Sequence, residues 1–218
     1  MTIPLPGQDD LRRLLYTPVV SDVLDSFGLM RQALRPFVRP LDDTLVLFGR
    51  ARTGRYETLT TPSTSANPYE LEMDLIDGLL PGEVAVLACN GPTDWVAPWG
   101  DAARARGAAG CVTDGLVRDV GRIRAMGFPV FHGGIGPLDT RNRAEMVEKD
   151  TVVEIAGARI APGDWILGDV DGVVVIPADR AEAVFRAALD KIAAEDTTRA
   201  ELEAGDSLRA VFARHGVL

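Results

Sequence analysis

Charged side chains in the middle of the chain fall where two predicted strands end. Asp101 follows the apolar run VAVLAC and its loop, and Asp114 ends the next run, AAGCVTD. Arg118 and Asp119 come shortly afterwards and are predicted to open a helix. Because ligands of α/β sheets gather beyond the carboxyl ends of the strands, we expect these side chains to face a common site.

Arg118 and Asp119 could bind a 2-keto acid together. A guanidinium binds a carboxylate through two parallel hydrogen bonds, and the N–H groups of a helix N-terminus also favour anions. Asp119 could hold Mg²⁺, which prefers few protein oxygens and several waters. The arginine would then bind the carboxylate, and the metal the keto oxygen. The alternative is that Asp119 is only a helix N-terminal charge paired with Arg118 or Arg122; spacing alone leaves both interpretations open.

Composition and missing motifs argue against several other functions. The sequence contains no GxxxxGK[ST] phosphate loop, no HExxH metal motif and no GxSxG nucleophile motif. A net charge of −9 disfavours nucleic acid as a partner, because phosphate binding requires a basic face. Only two histidines occur, His132 and His215, and neither has a serine nucleophile motif to serve. No apolar run is long enough to span a membrane and no signal peptide is present, so a cytoplasmic location is expected.

The scarce lysines and cysteines are predicted to be structural. Lys149 lies in a charged turn and Lys191 on a predicted terminal helix, so neither is a desolvated amine suited to a Schiff base. Cys89 and Cys111 lie inside apolar runs and are expected to be buried small hydrophobes. A thiol nucleophile or a disulfide is the less favoured alternative, and a reducing compartment fits best.

The elements that position these residues predict an α/β fold. Strand, helix, strand, helix and strand follow one another at 84–89, 101–107, 108–114, 117–127 and 128–131, which indicates a parallel βαβαβ unit. Short strands separated by Gly, Pro and Asp turns follow as a late β meander. A long helix then runs from Asp179, its expected N-cap, to about Glu203. We therefore expect a layered β/β/α sandwich with a long C-terminal helix, forming one domain over residues 1–218.

Several motifs resemble one known family. They are the pairs Gly100-Asp101 and Arg106-Gly107, the stretch VTDGLVRD that ends at Asp119, the strand FPVF, and the late run APGDWILGDVDGVVVIP. The chain resembles, over nearly its whole length, the family of regulator of ribonuclease activity A and the 4-hydroxy-4-methyl-2-oxoglutarate aldolases. The segment between the first two pairs is shorter here than in most members, so a reshaped anion-binding loop is expected.

The resemblance implies a pyruvate-aldolase site between subunits of a homotrimer, or of a hexamer of two trimers. Arg118 would bind substrate and Asp119 would hold Mg²⁺ or Mn²⁺. Asp101 would orient water in the coordination shell. Glu195 of a neighbour's terminal helix, within a tail at 179–215, would complete that shell. Gly100 and the amides of Ala102 and Ala103 would contact the pyruvate carboxylate.

The function predicted from the sequence is that of a metal-dependent carbon–carbon lyase. Its substrate would be 4-hydroxy-4-methyl-2-oxoglutarate or a related 4-hydroxy-2-keto acid, and oxaloacetate decarboxylation would be a side activity because both reactions form the enolate of pyruvate. The scarcity of lysine fits a metal route better than a Schiff base. The alternative is a non-catalytic regulator that binds ribonuclease E, since the family also contains such proteins. The long terminal helix with Glu195 favours the enzyme.

Overall fold

The described residues of this computed structural model, 4–89, 91 and 99–216, form one large mixed sheet and two small sheets with helices around them. The strands are β1 (Arg39–Pro40), β2 (Leu47–Thr58), β3 (Glu83–Ala88), β4 (Gly110–Thr113), β5 (Leu116–Val117), β6 (Val130–His132), β7 (Gly134–Ile135), β8 (Ala144–Lys149), β9 (Val153–Ile155), β10 (Ala158–Ile160), β11 (Trp165–Asp169) and β12 (Gly172–Ile176). The helices are α1 (Gln8–Leu14), α2 (Thr17–Ser26), α3 (Glu70–Asp77), α4 (Gly100–Ala105), α5 (Val120–Met126), α6 (Ala181–Glu203) and α7 (Leu208–His215).

The centre of the large sheet is parallel. β3 pairs with β2 on one side and with β4 on the other, and β4 pairs with β6, all in parallel. α4 lies between β3 and β4 along the chain, and α5 lies between β5 and β6. The predicted strand–helix–strand–helix–strand unit is therefore confirmed, with β5 as an additional short strand. In such a unit the carboxyl ends of the parallel strands meet at one edge, where ligands bind.

Side chains alternate between two buried faces of the large sheet. Along β3, Val84 and Val86 face one side, whereas Ala85 and Leu87 face the other. The first face packs against the β9–β10 pair. The second is covered by α3, α4 and α5 over one half, and by α1, α2 and α6 over the other half. This arrangement is the predicted layered β/β/α sandwich.

The late β segment consists of β8 and two hairpins. β9 pairs with β10, and β11 pairs with β12, each antiparallel. β11 also pairs with the first residues of β2, while β8 pairs with its last residues. β2 thus joins the parallel centre to the antiparallel end of the sheet, so both halves of the chain contribute to one sheet.

The C-terminal helix begins later than predicted. α6 starts at Ala181 with Arg180 at the N-cap position, so Asp179 does not cap it. The Asp179 carboxylate instead lies 3.6 Å from Nε of Arg180. Val184 and Phe185 of α6 are buried in the core cluster shared with α1 and α2. None of the helices in the described residues is long and apolar enough to cross a lipid bilayer.

Candidate active site

Arg118 and Asp119 lie between β5 and α5, and not inside the helix as predicted. The pairing of Leu116 and Val117 with β7 keeps the chain extended up to this point. Asp119 then takes a left-handed backbone conformation, with φ 58°, at the N-cap position of α5. Aspartate adopts this conformation more readily than most residues. Its side chain makes no capping hydrogen bond, so the helix does not use this carboxylate.

Two ion pairs connect the charged residues of this region. Nε of Arg118 lies 3.4 Å from Oδ2 of Asp119, and the Arg122 guanidinium lies 3.7 Å from Oδ2 of Asp101. The Asp119 and Asp101 side chains stay 64% and 72% exposed. Exposed ion pairs contribute little to stability, so a ligand can displace either partner at small cost. The Arg118–Asp119 contact is thus compatible with both of the roles that spacing left open for Asp119.

A cavity of about 440 Å³ lies between α4, α5 and the loops around them. Its polar side is lined by Gly100, Asp101, Ala102, Arg118, Asp119, Arg122 and Asp139. Its apolar side is lined by Tyr69, Trp99, Ile123 and Met126. Most of the residues singled out in the sequence therefore share one cavity, whose size suits a small keto acid together with water.

Ala103 and Glu195, both named by the family resemblance, are not part of this cavity. Ala103 is fully buried, and its backbone N–H donates to the carbonyl oxygen of Trp99 at 2.9 Å, so this amide is already used by α4. The Glu195 carboxylate accepts a hydrogen bond from the Tyr16 hydroxyl and lies 2.9 Å from Nζ of Lys191. Both Glu195 oxygens therefore have partners within the same chain.

Asp114 has a structural role at the end of β4. Its side chain is buried and accepts a hydrogen bond from the Cys89 N–H at 2.7 Å. Burial raises the pKa of this carboxyl, although backbone hydrogen bonds, that of Cys89 among them, act in the opposite direction. Asp114 thus holds the ends of β3 and β4 together and does not line the cavity, contrary to the expectation of a shared site.

Sequence reasoning missed the aromatic side of the cavity and the group behind it. Trp99 precedes the Gly100-Asp101 pair and takes a left-handed conformation, with φ 42°. Its indole N–H donates to Glu72 at 2.8 Å, and its ring contacts that of Tyr69 edge-on. Glu72 is only 1% exposed, and burial raises its pKa to about 7. The position of Glu72 on an amphipathic helix gave no sequence signal of burial.

The carboxylates of the cavity fit a hydrated hard cation. Among the described residues, no three His, Cys, Asp or Glu side chains lie close enough to hold a metal ion by themselves. Mg²⁺ does not require such a cluster, because it commonly binds one or two carboxylates and keeps several waters. Asp119 is exposed toward the cavity, with Asp101 and Asp139 on the same lining. These oxygen donors suit Mg²⁺ or Mn²⁺ better than softer metals.

Comparison with known families settles the broad assignment. Residues 17–175 match the RraA-like family, described as Aldolase/RraA, and this range includes the whole cavity lining. The chain belongs to the RraA-like family. Within it, a provisionally named 4-hydroxy-4-methyl-2-oxoglutarate aldolase of Halalkalibacterium halodurans is 32% identical over 206 residues, which cover 92% of this chain and 90% of the relative.

Two further comparisons concern a longer relative and a solved structure with the same fold. The protein DlpA of Legionella pneumophila is 31% identical over 193 residues, which cover 87% of this chain but 30% of DlpA. This chain therefore spans less than a third of that relative. The crystal structure of Streptomyces coelicolor RraAS2, described as an unusual member of the RNase ES inhibitor RraA family, superposes with a TM-score of 0.76 at 24% identity over 90% of this chain and 99% of that one. At this identity the match establishes the fold alone.

Proposed function

We propose that this RraA-like chain is a divalent-metal-dependent class II pyruvate aldolase. It would cleave 4-hydroxy-4-methyl-2-oxoglutarate or a related 4-hydroxy-2-keto acid to pyruvate, with oxaloacetate decarboxylation as a side activity. The observation that carries the proposal is that Arg118, Asp119 and Asp101 line one cavity on the carboxyl side of β3 and β4. The aldolase name of a relative that matches nearly the full length supports it.

Different residues of the cavity would bind the substrate and the metal. Arg118 would bind the substrate carboxylate through paired hydrogen bonds, after giving up its contact with Asp119. Asp119 would then hold Mg²⁺ or Mn²⁺, and Asp101 would orient water beside it. A bound dication would supply Lewis-acid stabilisation of the negative charge that develops on the keto oxygen. Arg118 contributes a second positive charge close to the same carboxylate–ketone unit.

The cleavage breaks one carbon–carbon bond and includes two proton transfers. The bond between C3 and C4 of the substrate breaks, and its electrons pass to the C2 carbonyl, which yields the enolate of pyruvate. The proton of the C4 hydroxyl leaves to a water molecule held by Asp101, and C4 becomes a carbonyl. Protonation of the enolate at C3 then completes pyruvate. In oxaloacetate decarboxylation, carbon dioxide leaves in place of the carbonyl product.

Pyruvate release after chelation tests the metal requirement. The purified protein is assayed on the 4-hydroxy-2-keto acid and on oxaloacetate, before and after EDTA treatment and after addition of Mg²⁺ or Mn²⁺. We expect EDTA to abolish pyruvate release above the uncatalysed rate and the added metal to restore it, because the bound dication would supply the main stabilisation of the charge on the enolate oxygen. Full activity after EDTA would contradict the proposal.

Arg118→Ala and Asp119→Asn test the two central residues. Each change should lower kcat/KM at least about a hundredfold, since Arg118→Ala removes a positive charge that acts on the developing enolate and Asp119→Asn weakens the binding of the dication. Asparagine at position 119 also tolerates the left-handed backbone. Arg159→Ala and Asp43→Ala, at exposed positions away from the cavity, are matched controls and should retain activity. Equal activity of the site variants and their controls would overturn the assignment.

The second candidate is a regulator that binds a ribonuclease. The description of RraAS2 as a member of an RNase ES inhibitor family favours it, although at that identity the match concerns the fold. Binding of purified ribonuclease E, measured by interferometry alongside the lyase assay, separates the two functions. Tight binding without pyruvate release from either substrate would favour the regulator. Pyruvate release that depends on Arg118 would favour the aldolase.

A further inference from the structure

Glu72 is an ionisable group buried beneath the cavity, and the proposed reaction does not use it. It lies on α3, and its side chain is buried beside the hydrophobic cluster that α3, α4 and α5 form on the large sheet. One carboxylate oxygen accepts the Trp99 indole N–H at 2.8 Å. The buried Tyr56 hydroxyl faces the same carboxyl without reaching hydrogen-bond geometry. A buried carboxylate without a cation is costly, so its presence requires an explanation.

Trp99 connects Glu72 to the cavity. Its backbone is left-handed, which is uncommon for a bulky residue, and it directly precedes Gly100, Asp101 and Ala102 of the cavity lining. Its carbonyl oxygen accepts the Ala103 N–H, so the same residue also begins the hydrogen bonding of α4. The Trp99 side chain is thereby fixed at one end by Glu72 and along its ring by Tyr69.

We propose that Glu72 is a positioning residue that holds Trp99, and through Trp99 the start of α4, in the conformation that places Asp101 on the cavity. The effect of this contact on the shape of the cavity does not depend on which reaction the protein catalyses. Its effect on turnover rests on the proposed aldolase function. Such strained backbone persists only where surrounding contacts determine it, and the Glu72 carboxyl is the hydrogen-bond partner of the Trp99 side chain.

The charge state of Glu72 should set the strength of this contact. Four titratable groups interact electrostatically with Glu72: Tyr56 of β2, Cys111 of β4, and Tyr69 and Asp139 on the cavity side. None of these is a cation, and burial raises the Glu72 pKa to about 7. An ionised carboxylate accepts a stronger hydrogen bond from the indole than a protonated one. The hydrogen bond between Glu72 and the Trp99 indole is therefore expected to become stronger as the pH rises through neutrality.

Tryptophan fluorescence tests the contact without any substrate or metal. The signal of Trp99 is obtained for each protein as the difference between its spectrum and that of its Trp99→Phe counterpart. We expect this signal to titrate with a midpoint near pH 7 in the unmodified chain. It should not titrate in Glu72→Gln, which keeps an acceptor oxygen but cannot ionise. Glu70→Gln, at an exposed position of the same helix, should titrate like the unmodified chain.

Activity then tests whether the contact matters for turnover. We expect kcat to rise with pH through neutrality in the unmodified chain and to lose this rise in Glu72→Gln. Glu72→Leu, which removes the acceptor, should lower kcat about tenfold or more with a smaller change in KM. If Glu72→Leu does not fold, Glu72→Gln still decides the question.

The outcomes separate this proposal from the aldolase function. A Trp99 signal that fails to titrate, or that titrates equally in Glu72→Gln, would overturn the role of Glu72 whatever the enzyme does. A Trp99 titration that depends on Glu72, in a protein that releases no pyruvate, would retain the positioning role and refute the aldolase function. A Glu72-dependent titration with unchanged kcat in Glu72→Leu would overturn the link between the contact and turnover.

Discussion

Burial of Glu72 has a consequence for stability at the level of a single residue. Desolvation raises its pKa from 4.5 to about 7, while the nearby Tyr56 hydroxyl and the hydrogen bond from the Trp99 indole act in the opposite direction. The folded state therefore binds this proton more tightly than the unfolded chain does. The resulting contribution to stability is fully present below about pH 4.5 and is lost as the pH rises through about 7. At alkaline pH, the ionised carboxylate destabilises the fold.

Glu72→Gln should accordingly stabilise the protein in a pH-dependent manner. Near pH 8 we expect the free energy of unfolding to increase on the order of 2–3 kcal/mol, because the substitution removes a buried charge and keeps the acceptor. Near pH 4 the variant and the unmodified chain should differ little. Urea denaturation at both pH values measures the effect, with Glu70→Gln as the exposed control. An equal change at both pH values would show that the effect is not ionisation.

Site residues can be predicted from a sequence when they belong to a local pattern of neighbouring residues. Arg118 and Asp119 were singled out because they follow a strand and a glycine within a few positions. The partnership of Glu72 with Trp99 was not predicted, because it joins α3 to the start of α4 and depends on how both pack on the sheet. Asp114 looked like a site residue by the same spacing rule, yet its side chain is used to hold Cys89.

At the level of elements, the turn between β4 and β5 positions Arg118. Gly133, just after β6, donates its N–H to the carbonyl oxygen of Gly115 in this turn. A Cβ on Gly133 would overlap the backbone carbonyl of Asp114, so the two segments approach as closely as glycine allows. The pairing of β5 with β7 follows immediately and leads the chain to Asp119. The geometry of the site thus depends on a close backbone approach outside the cavity.

Gly133→Ala should therefore damage both stability and activity. The added methyl group must push the β4–β5 turn away, at a cost of about 2–3 kcal/mol in the free energy of unfolding. It should also lower kcat/KM by displacing Arg118. Gly121→Ala is the matched control: nothing lies near its Cβ, and alanine in α5 should stabilise the helix by up to about 1 kcal/mol. Thermal unfolding and the pyruvate assay measure both, and equal behaviour of the two variants would refute the argument.

Boundaries of the elements were harder to predict than their order. The sequence pattern indicated the βαβαβ order correctly, because apolar runs and glycine stops are local. It extended the second helix back to Val117, since it could not show that Leu116 and Val117 pair with β7. It also placed the N-cap of α6 at Asp179, whereas the N-cap is Arg180. The residue at which a helix begins depends on the preceding turn as well as on the capping side chain.

For the whole molecule, the expected assembly is a trimer or a hexamer with Glu195 reaching a neighbour's site. We expect a solution mass of three or six times the 23.4 kDa of one chain by light scattering. Arg118→Ala and Glu195→Gln, each with low activity alone, should regain activity when co-expressed, because mixed assemblies then contain intact sites. Co-expression of Arg118→Ala with Asp119→Asn should not restore activity. Both residues line the cavity of the same chain, so every site in a mixed assembly lacks one of them. No recovery in the first mixture would contradict a contribution of Glu195 to a neighbour's site.

The position of β2 bears on how the chain folds as it is synthesised. Its first residues pair with β11 along one edge and its later residues with β3 along the other, so residues 47–58 require partners from 165–169. A ribosome must release the β11 segment before this strand can close both edges. Until then an unpaired apolar edge is open to other chains. Closure of the sheet should thus wait for synthesis of β11 and be sensitive to chaperone supply.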